Sequence, residues 1–280
     1  MNKQTQEKIN KAAELIGNAD SVLITAGAGM GVDSGLPDFR GNQGFWKAYP
    51  PYQKLGVNFI TMASPQHFDK DPRFAWGFYG HRRNLYRETQ PHDGFQILRK
   101  MVENKSHFIY TSNVDNHFTK AGFDPDVVNE CHGSIEHSQC NEGCTLEVFD
   151  AEAKNFDIDM DTMRVVSDLP KCPRCGALAR PNILMFGDWR WSGARAFHQS
   201  GRFREWAALQ PSSKMVVIEC GAGTDIPTVR MEGFKWSATA GVPLIRLNPR
   251  DYQEDTDKQI GIPLGALEGL TAIAKEMKIA

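Results

Sequence analysis

Apolar residues in this chain fall into two alternating patterns. Short runs rich in β-branched and aromatic residues read as buried strands: Ser21-Val22-Leu23-Ile24-Thr25, His107-Phe108-Ile109-Tyr110-Thr111, Asp126-Val127-Val128-Asn129, Asn182-Ile183-Leu184-Met185-Phe186, Lys214-Met215-Val216-Val217-Ile218-Glu219 and Val242-Pro243-Leu244-Ile245-Arg246-Leu247. Other segments carry apolar residues at helical spacing. Residues 6–16 place Ile9, Ala12, Ala13 and Ile16 on one side, and residues 94–104 do the same with Phe95, Leu98, Met101 and Val102. Residues 197–209 and 264–277 read as helices too, the last with Leu267, Leu270 and Ile273. Strands alternating with helices predict an α/β fold: a doubly wound, Rossmann-like parallel sheet covered on both faces.

Two stretches break the alternation. Residues 42–90 are aromatic and helical in pattern, with Phe45, Trp46, Tyr49 and Tyr52 followed by Phe68, Phe74, Trp76, Phe78 and Tyr79. That is too long for a connection within an α/β unit, so we expect a helical insertion that covers a site. Residues 65–88 read as one helix. Residues 140–180 mix cysteines, acids and glycines and predict a separate small lobe. The sheet domain is then assembled from residues 1–41, 91–139 and 181–280. No internal repeat or low-complexity segment is present.

The strands share one property. Nearly all end in small or polar residues: Thr25-Ala26-Gly27, Thr111-Ser112-Asn113, Glu130-Cys131-His132-Gly133, Gly221-Ala222-Gly223 and Asn248-Pro249. Ligands of open parallel sheets bind outside the carboxyl ends of the strands. These termini are therefore candidates for one shared crevice, although a single such end is only a turn. The first is the richest. Gly27-Ala28-Gly29-Met30-Gly31 allows a sharp turn and close backbone approach to a ligand, and a helix starting there would favour a phosphate. The following Ser34-Gly35-Leu36-Pro37-Asp38-Phe39-Arg40 sets an acid, a ring and a guanidinium side by side. Val32 stands where the third glycine of a GxGxxG pattern would fall, so glycine spacing alone does not decide for a nucleotide.

Composition narrows the class. The 280 residues are 41% hydrophobic and 24% charged with formal charge −2, which suits a globular protein and shows no basic footprint for nucleic acid. No run of about 18 apolar residues exists, so no membrane span is expected. The polar first ten residues lack the apolar core of a signal peptide, and a cytoplasmic location is expected. Four of the six cysteines form two close pairs, Cys140-x3-Cys144 and Cys172-x2-Cys175. Two pairs on tight turns match the four-thiolate tetrahedron of structural Zn²⁺, which leaves no open position for chemistry. Buried free thiols or a redox pair are the other readings. His132, at a strand end before Gly133, suits a general base near neutral pH, or a structural role. Asn113 and Asp115 can hold an amide and a ribose or water, or simply form a turn.

Taken in order, these motifs resemble the sirtuin family of NAD-dependent protein-lysine deacylases over nearly the whole chain. Gly27-Ala28-Gly29 with Ser34-Gly35-Leu36-Pro37-Asp38-Phe39-Arg40 resembles GAG…SGIPDFR. Thr111-Ser112-Asn113-Val114-Asp115 resembles TQNID, and His132-Gly133 resembles the catalytic HG. The cysteine pairs resemble the zinc module. Pro181-Asn182-Ile183-Leu184-Met185-Phe186-Gly187-Asp188 resembles the substrate stretch ending in FGE.

The resemblance implies that NAD lies across the sheet ends, contacted by Ala26, Gly27, Ala28, Gly29, Leu36, Pro37, Asp38, Phe39, Arg40, Ser112, Asn113, Val114, Asp115, Gly221, Ala222, Gly223 and Asn248. It implies His132 as base, with Asn113 and Asp115 beside it. The acyl-lysine oxygen would attack the anomeric carbon, and nicotinamide would leave. His132 would then take a proton from a ribose hydroxyl, giving free lysine and O-acyl-ADP-ribose. The acylated protein substrate would add as a strand near Phe186, Gly187 and Asp188. Tyr79-x-x-Arg82 resembles the pair by which some sirtuins select succinyl- or malonyl-lysine. A packed Tyr79 with a solvated Arg82 is the alternative.

Departures from the pattern are also plain. Gly31 replaces Ser, Ser112 replaces Gln, Gly221-Ala222-Gly223 replaces GTS, Asp188 replaces Glu, and the first cysteine spacer is three residues. They keep two other functions in view: NAD glycohydrolysis or ADP-ribosyl transfer on the same site, and an inactive NAD-sensing module.

Overall fold

A computed structural model describes residues 2–38 and 41–279. The chain opens with α1 (Lys3–Asn18), started by Asn2, whose side chain accepts from the Thr5 N–H. It continues into β1 (Ser21–Ala26), which is buried along its whole length. Next come α2 (Gly41–Ala48), α3 (Pro50–Lys54), α4 (Phe59–Met62), α5 (Gln66–Lys70), α6 (Pro72–Glu88) and α7 (Asp93–Val102). They are followed by β2 (Ser106–Thr111), α8 (His117–Lys120), β3 (Val128–Glu130) and β4 (Gly133–Cys140). Three short strands, β5 (Phe149–Asp150), β6 (Ile158–Asp159) and β7 (Arg164–Val165), precede β8 (Ala179–Ile183). The chain ends with α9 (Ala194–Ala208), β9 (Met215–Cys220), α10 (Thr228–Ala240), β10 (Leu244–Leu247), β11 (Gln259–Ile262) and α11 (Ala266–Glu276).

The main sheet is six-stranded and parallel, in the order β11-β10-β9-β1-β2-β3. One face packs on α1, α7 and α11 through Ile9, Ile16, Leu98, Leu270 and Ile273. The other carries Leu23, Phe108, Val217 and Leu244 against Phe203 of α9 and Trp236 of α10. The strand order runs outward in opposite directions from β1 and β9. A crevice therefore opens between their carboxyl ends, at the topological switch point where such sheets hold ligands.

Several expectations need correction. The run 182–186 does not join the parallel sheet. Its first residues belong to β8, antiparallel to β4 in a small sheet ordered β5-β4-β8. An apolar run fits either sheet, and only its partner decides. The helix expected over 65–88 breaks at Asp71-Pro72, because the residue before proline is disfavoured as helix. Asp71 instead caps α6, accepting from Phe74 N–H. The strand expected at 126–129 starts later, after a 3-10 turn at Pro125–Val127. α10 and β11 are not announced by the hydrophobic pattern. The residues α10 buries are Val229, Gly233 and Ser237, two of them small, and β11 has only four residues with a glycine among them.

The helical insertion and the cysteine-bearing segment share one core. Phe45, Trp76, Phe78 and Tyr79 pack with Ile135, Met163, Val165 and Ile183. Trp76 Nε1 donates to Ala179 O at 3.0 Å in the buried interior. Gly77 lets α6 approach the backbone at Met163 more closely than any Cβ would permit. The two segments form a single lobe beside the sheet.

Candidate active site

A groove of about 370 Å³ lies at the carboxyl ends of β1, β2 and β9 and is closed on its far side by the lobe. The small residues Gly27, Ala28 and Gly29 meet Gly221, Ala222 and Gly223 along it. The two loops are in intimate contact. Gly29 N–H donates to Gly221 O at 3.0 Å, and a Cβ on Gly29 would lie 2.8 Å from the Gly221 Cα. Gly221 holds φ +62°, which favours glycine. The N–H groups of Ala28, Ala222 and Gly223 have no acceptor among the described residues. Successive unpaired amides around a small-residue cradle suit a pyrophosphate. No α-helix starts after β1; the chain forms two 3-10 turns, Ala28–Met30 and Val32–Ser34, so free amides rather than a helix dipole face the groove.

Leu36, Pro37, Asp38, Ser112, Asn113, Val114, Asp115 and His132 line the same groove. Asn113 is locked from two sides. Its Nδ2 donates to Gly27 O at 3.0 Å, and its N–H donates to Thr111 Oγ1 at 3.0 Å. Asp115 Oδ1 accepts from His117 N–H at 2.9 Å, and Asn116 takes φ +62° to close that turn. The His132 ring makes no hydrogen bond within the described residues. Burial holds its pKa below the usual histidine value, so the ring is neutral, and a proton acceptor, at pH 7. Glu130, two residues before it, is pushed up by burial and partly held down by Arg195, which it meets at 2.6 Å.

The lobe supplies the remaining wall. Tyr79, Arg82 and Tyr86 of α6 reach the groove, beside Phe59, Ala63, Ile183, Leu184, Met185 and Phe186. Arg82 is buried, and its Nε and Nη2 donate to Tyr86 Oη at 3.1 and 2.8 Å. Burial opposes its charge, but Tyr86, Tyr79 and Tyr49 around it more than offset this. The solvated arginine of the alternative reading is not what the structure holds.

Other expected contacts fall elsewhere. Ala26 is buried in β1 beneath the groove. Asn248 is buried and donates to Ala222 O at 2.9 Å, bracing the loop. Gly187 and Asp188 do not line the groove. The Asp188 carboxylate turns inward to a fully buried, two-pronged pair with Arg180, at 2.8 Å for each prong. Phe39 and Arg40 lie outside the described residues. Sequence reasoning missed Tyr86, Phe59, Ala63 and Val229 as lining residues. Tyr86, four residues after Arg82, was signalled by helical spacing, whereas the others carry no local mark.

The four cysteines Cys140, Cys144, Cys172 and Cys175 converge, with all sulfurs within 4.8 Å of one another. The closest pairs, Cys140–Cys175 and Cys144–Cys172, lie at 3.7 and 3.6 Å. A tetrahedron with Zn–S bonds of about 2.3 Å has edges of about 3.8 Å, so the set fits zinc. Positive φ at Gly143 and Gly176 forms both turns.

The family model for the Sir2 family matches residues 27–202. The chain belongs to the Sir2 family. Among curated relatives of this sirtuin, the NAD-dependent protein deacylase of Aquifex aeolicus (strain VF5) is 32% identical over 169 residues, 60% of this chain and 62% of the relative. This and the next relatives are thus matched over just under two thirds of their length. The NAD-dependent protein deacetylase of Caldivirga maquilingensis is 26% identical over 269 residues, covering 96% of this chain and 93% of its own. Among solved structures, a Sir2 homologue in complex with ADP-ribose superposes with TM-score 0.70 at 23% identity, covering 99% of this chain and 97% of that one, and so shares the fold. No helix among the described residues is long and apolar enough to cross a membrane.

Proposed function

We propose that this sirtuin is an NAD-dependent protein-lysine deacylase that releases nicotinamide and O-acyl-ADP-ribose. The observation that carries the reading is one groove in which His132, Asn113 and Asp115 meet the two small-residue loops. The free amides of Ala28, Ala222 and Gly223 would hold the pyrophosphate, and Asn113 and Asp115 would orient the nicotinamide ribose. Bound NAD supplies the electrophilic sugar carbon and the nicotinamide leaving group. His132, neutral and with no hydrogen-bond partner for its ring among the described residues, takes the proton of a ribose hydroxyl. Leu36, Val114, Ile183 and Met185 exclude water from the sugar.

A polypeptide edge is also present. Leu184 N–H donates to His132 O and Phe186 N–H to Ala63 O, both at 2.9 Å, while the Met185 and Gly187 amides have no acceptor among the described residues. Alternate pairing of this kind leaves one side free for an added strand.

The decisive experiment is mass spectrometry of products after incubation with NAD and a panel of acetyl-, succinyl- and longer-acyl-lysine peptides. Acyl-ADP-ribose that appears only with both reactants is the expected result. Nicotinamide release that ignores the peptide would assign the groove to glycohydrolysis. Absence of both products with retained NAD binding would assign it to sensing.

Tyr79 and Arg82 at the lobe end of the groove support a finer reading, in which acyl groups ending in a carboxylate are accepted. A guanidinium with a phenol hydroxyl binds carboxylate well. Arg82→Met is expected to lower kcat/KM for succinyl-lysine by about 10-fold or more, the loss of one charge-assisted hydrogen bond, and to spare acetyl-lysine. Equal losses on both would refute it.

A further inference from the structure

A second groove, of about 860 Å³, opens on the other side of His132. It shares His132 and Leu184 with the first and is otherwise walled by different side chains, chiefly Tyr110, Leu146, Trp191 and Phe197. None of its lining residues carries a carboxylate, an ammonium or a guanidinium. Its exposed rim is mainly apolar, with Phe197 67% exposed, Leu146 76% and Leu184 39%, and His198 is the one exposed polar side chain among its lining residues. Trp189, on the same loop as Trp191, is 97% exposed. Clustered apolar exposure of this kind marks a binding surface. We propose that this groove takes a large apolar side chain of the protein substrate, a few residues from the acylated lysine, and so makes the enzyme sequence-selective. The proposal rests on the deacylase reading given above.

Continuity decides for this occupant over others. Leu184 lines both grooves, Met185 with its free amide follows it along the first, and the free amide of Gly187 comes two residues later on the same segment. A strand added along that edge points alternate side chains the same way, about 7 Å apart. With the acyl-lysine in the first groove, a side chain two positions away falls beside Leu184, over the second. A nucleotide does not fit this surface, because it offers neither a glycine cradle nor a free cation: Arg195 nearby is held by Glu130 at 2.6 Å.

The test uses acetyl-lysine peptides that differ only within three residues of the lysine, carrying Leu, Phe, Ala or Glu. Burying one Leu or Phe predicts kcat/KM for those peptides at least about 10-fold above the Ala peptide, and Glu lower still. In Phe197→Ala the Leu-to-Ala ratio falls toward 1, and in Leu146→Glu a Lys-bearing peptide gains relative to Leu. Both changed residues are largely exposed, so folding is not at stake. The same ratios are read by fluorescence anisotropy of labelled peptides in the presence of ADP-ribose, which needs no turnover. Deacylation with flat ratios in the wild type overturns the groove assignment and leaves the deacylase reading standing. Absence of turnover with selective, Phe197-dependent binding overturns the deacylase reading and keeps the groove. Absence of both overturns both. Sedimentation showing a dimer that Phe197→Glu splits would give the surface to a second copy and overturn the proposal.

Discussion

Asp188 stands where the sirtuin pattern has a substrate-loop glutamate, yet the structure makes it a foundation. Its carboxylate and the Arg180 guanidinium are both fully buried and joined by two bonds of 2.8 Å. Asp188 Oδ1 also accepts from the Arg190 N–H at 3.1 Å. Replacing Asp188 by Ala strands a guanidinium whose Nε already lacks a partner. Removing one member of a buried pair costs about 3–5 kcal/mol, mostly from the uncompensated charge left behind. At about 2 °C per kcal/mol for a chain of this size, Tm should fall by about 6–10 °C. Urea unfolding followed by tryptophan fluorescence measures the same loss. The loop 184–190 should also lose amide-exchange protection, and peptide KM should rise more than kcat falls. The control is Arg202→Ala, which removes an exposed pair with Asp126 at 3.7 Å and should cost under about 1 kcal/mol. The double variant Arg180→Met/Asp188→Leu should regain most of the loss, because apolar groups of similar volume replace such pairs at little cost. A loss below about 1 kcal/mol in Asp188→Ala, or no recovery in the double variant, would refute the account.

Other outcomes follow from the same geometry. His132→Ala should lower kcat at least about 100-fold with NAD binding intact by calorimetry. In the wild type, burial lowers the His132 pKa, so the rate should be flat above pH 7 and fall only as pH drops below about 6.5, when the ring takes its proton. A limb centred above that value would point to another base. Cys172→Ser should abolish the stoichiometric zinc that elemental analysis is expected to find in the native chain, and should lower Tm. Gly29→Ala places a Cβ 2.8 Å from the Gly221 Cα, against backbone that cannot swing away. Overpacking of about 1–3 kcal/mol should part the loops and weaken NAD binding by about 10-fold or more, read by calorimetry.

Much of the site was legible because it is made of strand ends. β1, β2 and β9 announce themselves by apolar runs, and their first polar or glycine residues carry the groove. The cysteine tetrahedron was legible because zinc imposes short spacings. What stayed hidden depended on partners distant in sequence. Nothing local tells that Gly133–Cys140 pairs with Ala179–Ile183 across a lobe, so the run at 182–186 was placed in the wrong sheet. A resemblance in motif likewise cannot say which way a carboxylate turns. Asp188 matched a substrate stretch, but Arg180 eight residues upstream claims it. Tyr79 and Arg82 were marked by an i, i+3 spacing on one helix, whereas Tyr86 completes the cluster one turn later.

The hidden contacts also explain how a metal that does no chemistry bears on the groove. Asn141 follows the ligand Cys140 and is itself buried. Its Nδ2 donates to Asp69 Oδ1 on α5 at 2.9 Å, and Asp69 Oδ2 accepts from Arg190 Nη2 at 2.5 Å. Partial burial would raise the Asp69 pKa, but the bonds from Asn141 and Arg190 hold it below the usual carboxylate range, so this link is intact at neutral pH. Arg190 in turn is tied through its N–H to Asp188, and Asp188 to Arg180 on β8. The cysteine cluster, the helical insertion and the loop 184–190 thus meet at two carboxylates. Exposed pairs such as Asp69–Arg190 contribute little alone, whereas one end of this chain is a fully buried pair whose geometry is fixed. Loss of the metal should loosen Asn141 first, so that the free edge at Met185 and Gly187 loses a brace on one side while Arg180 keeps the other. Metal removal should therefore weaken peptide binding before the parallel sheet, which holds its own core, begins to unfold.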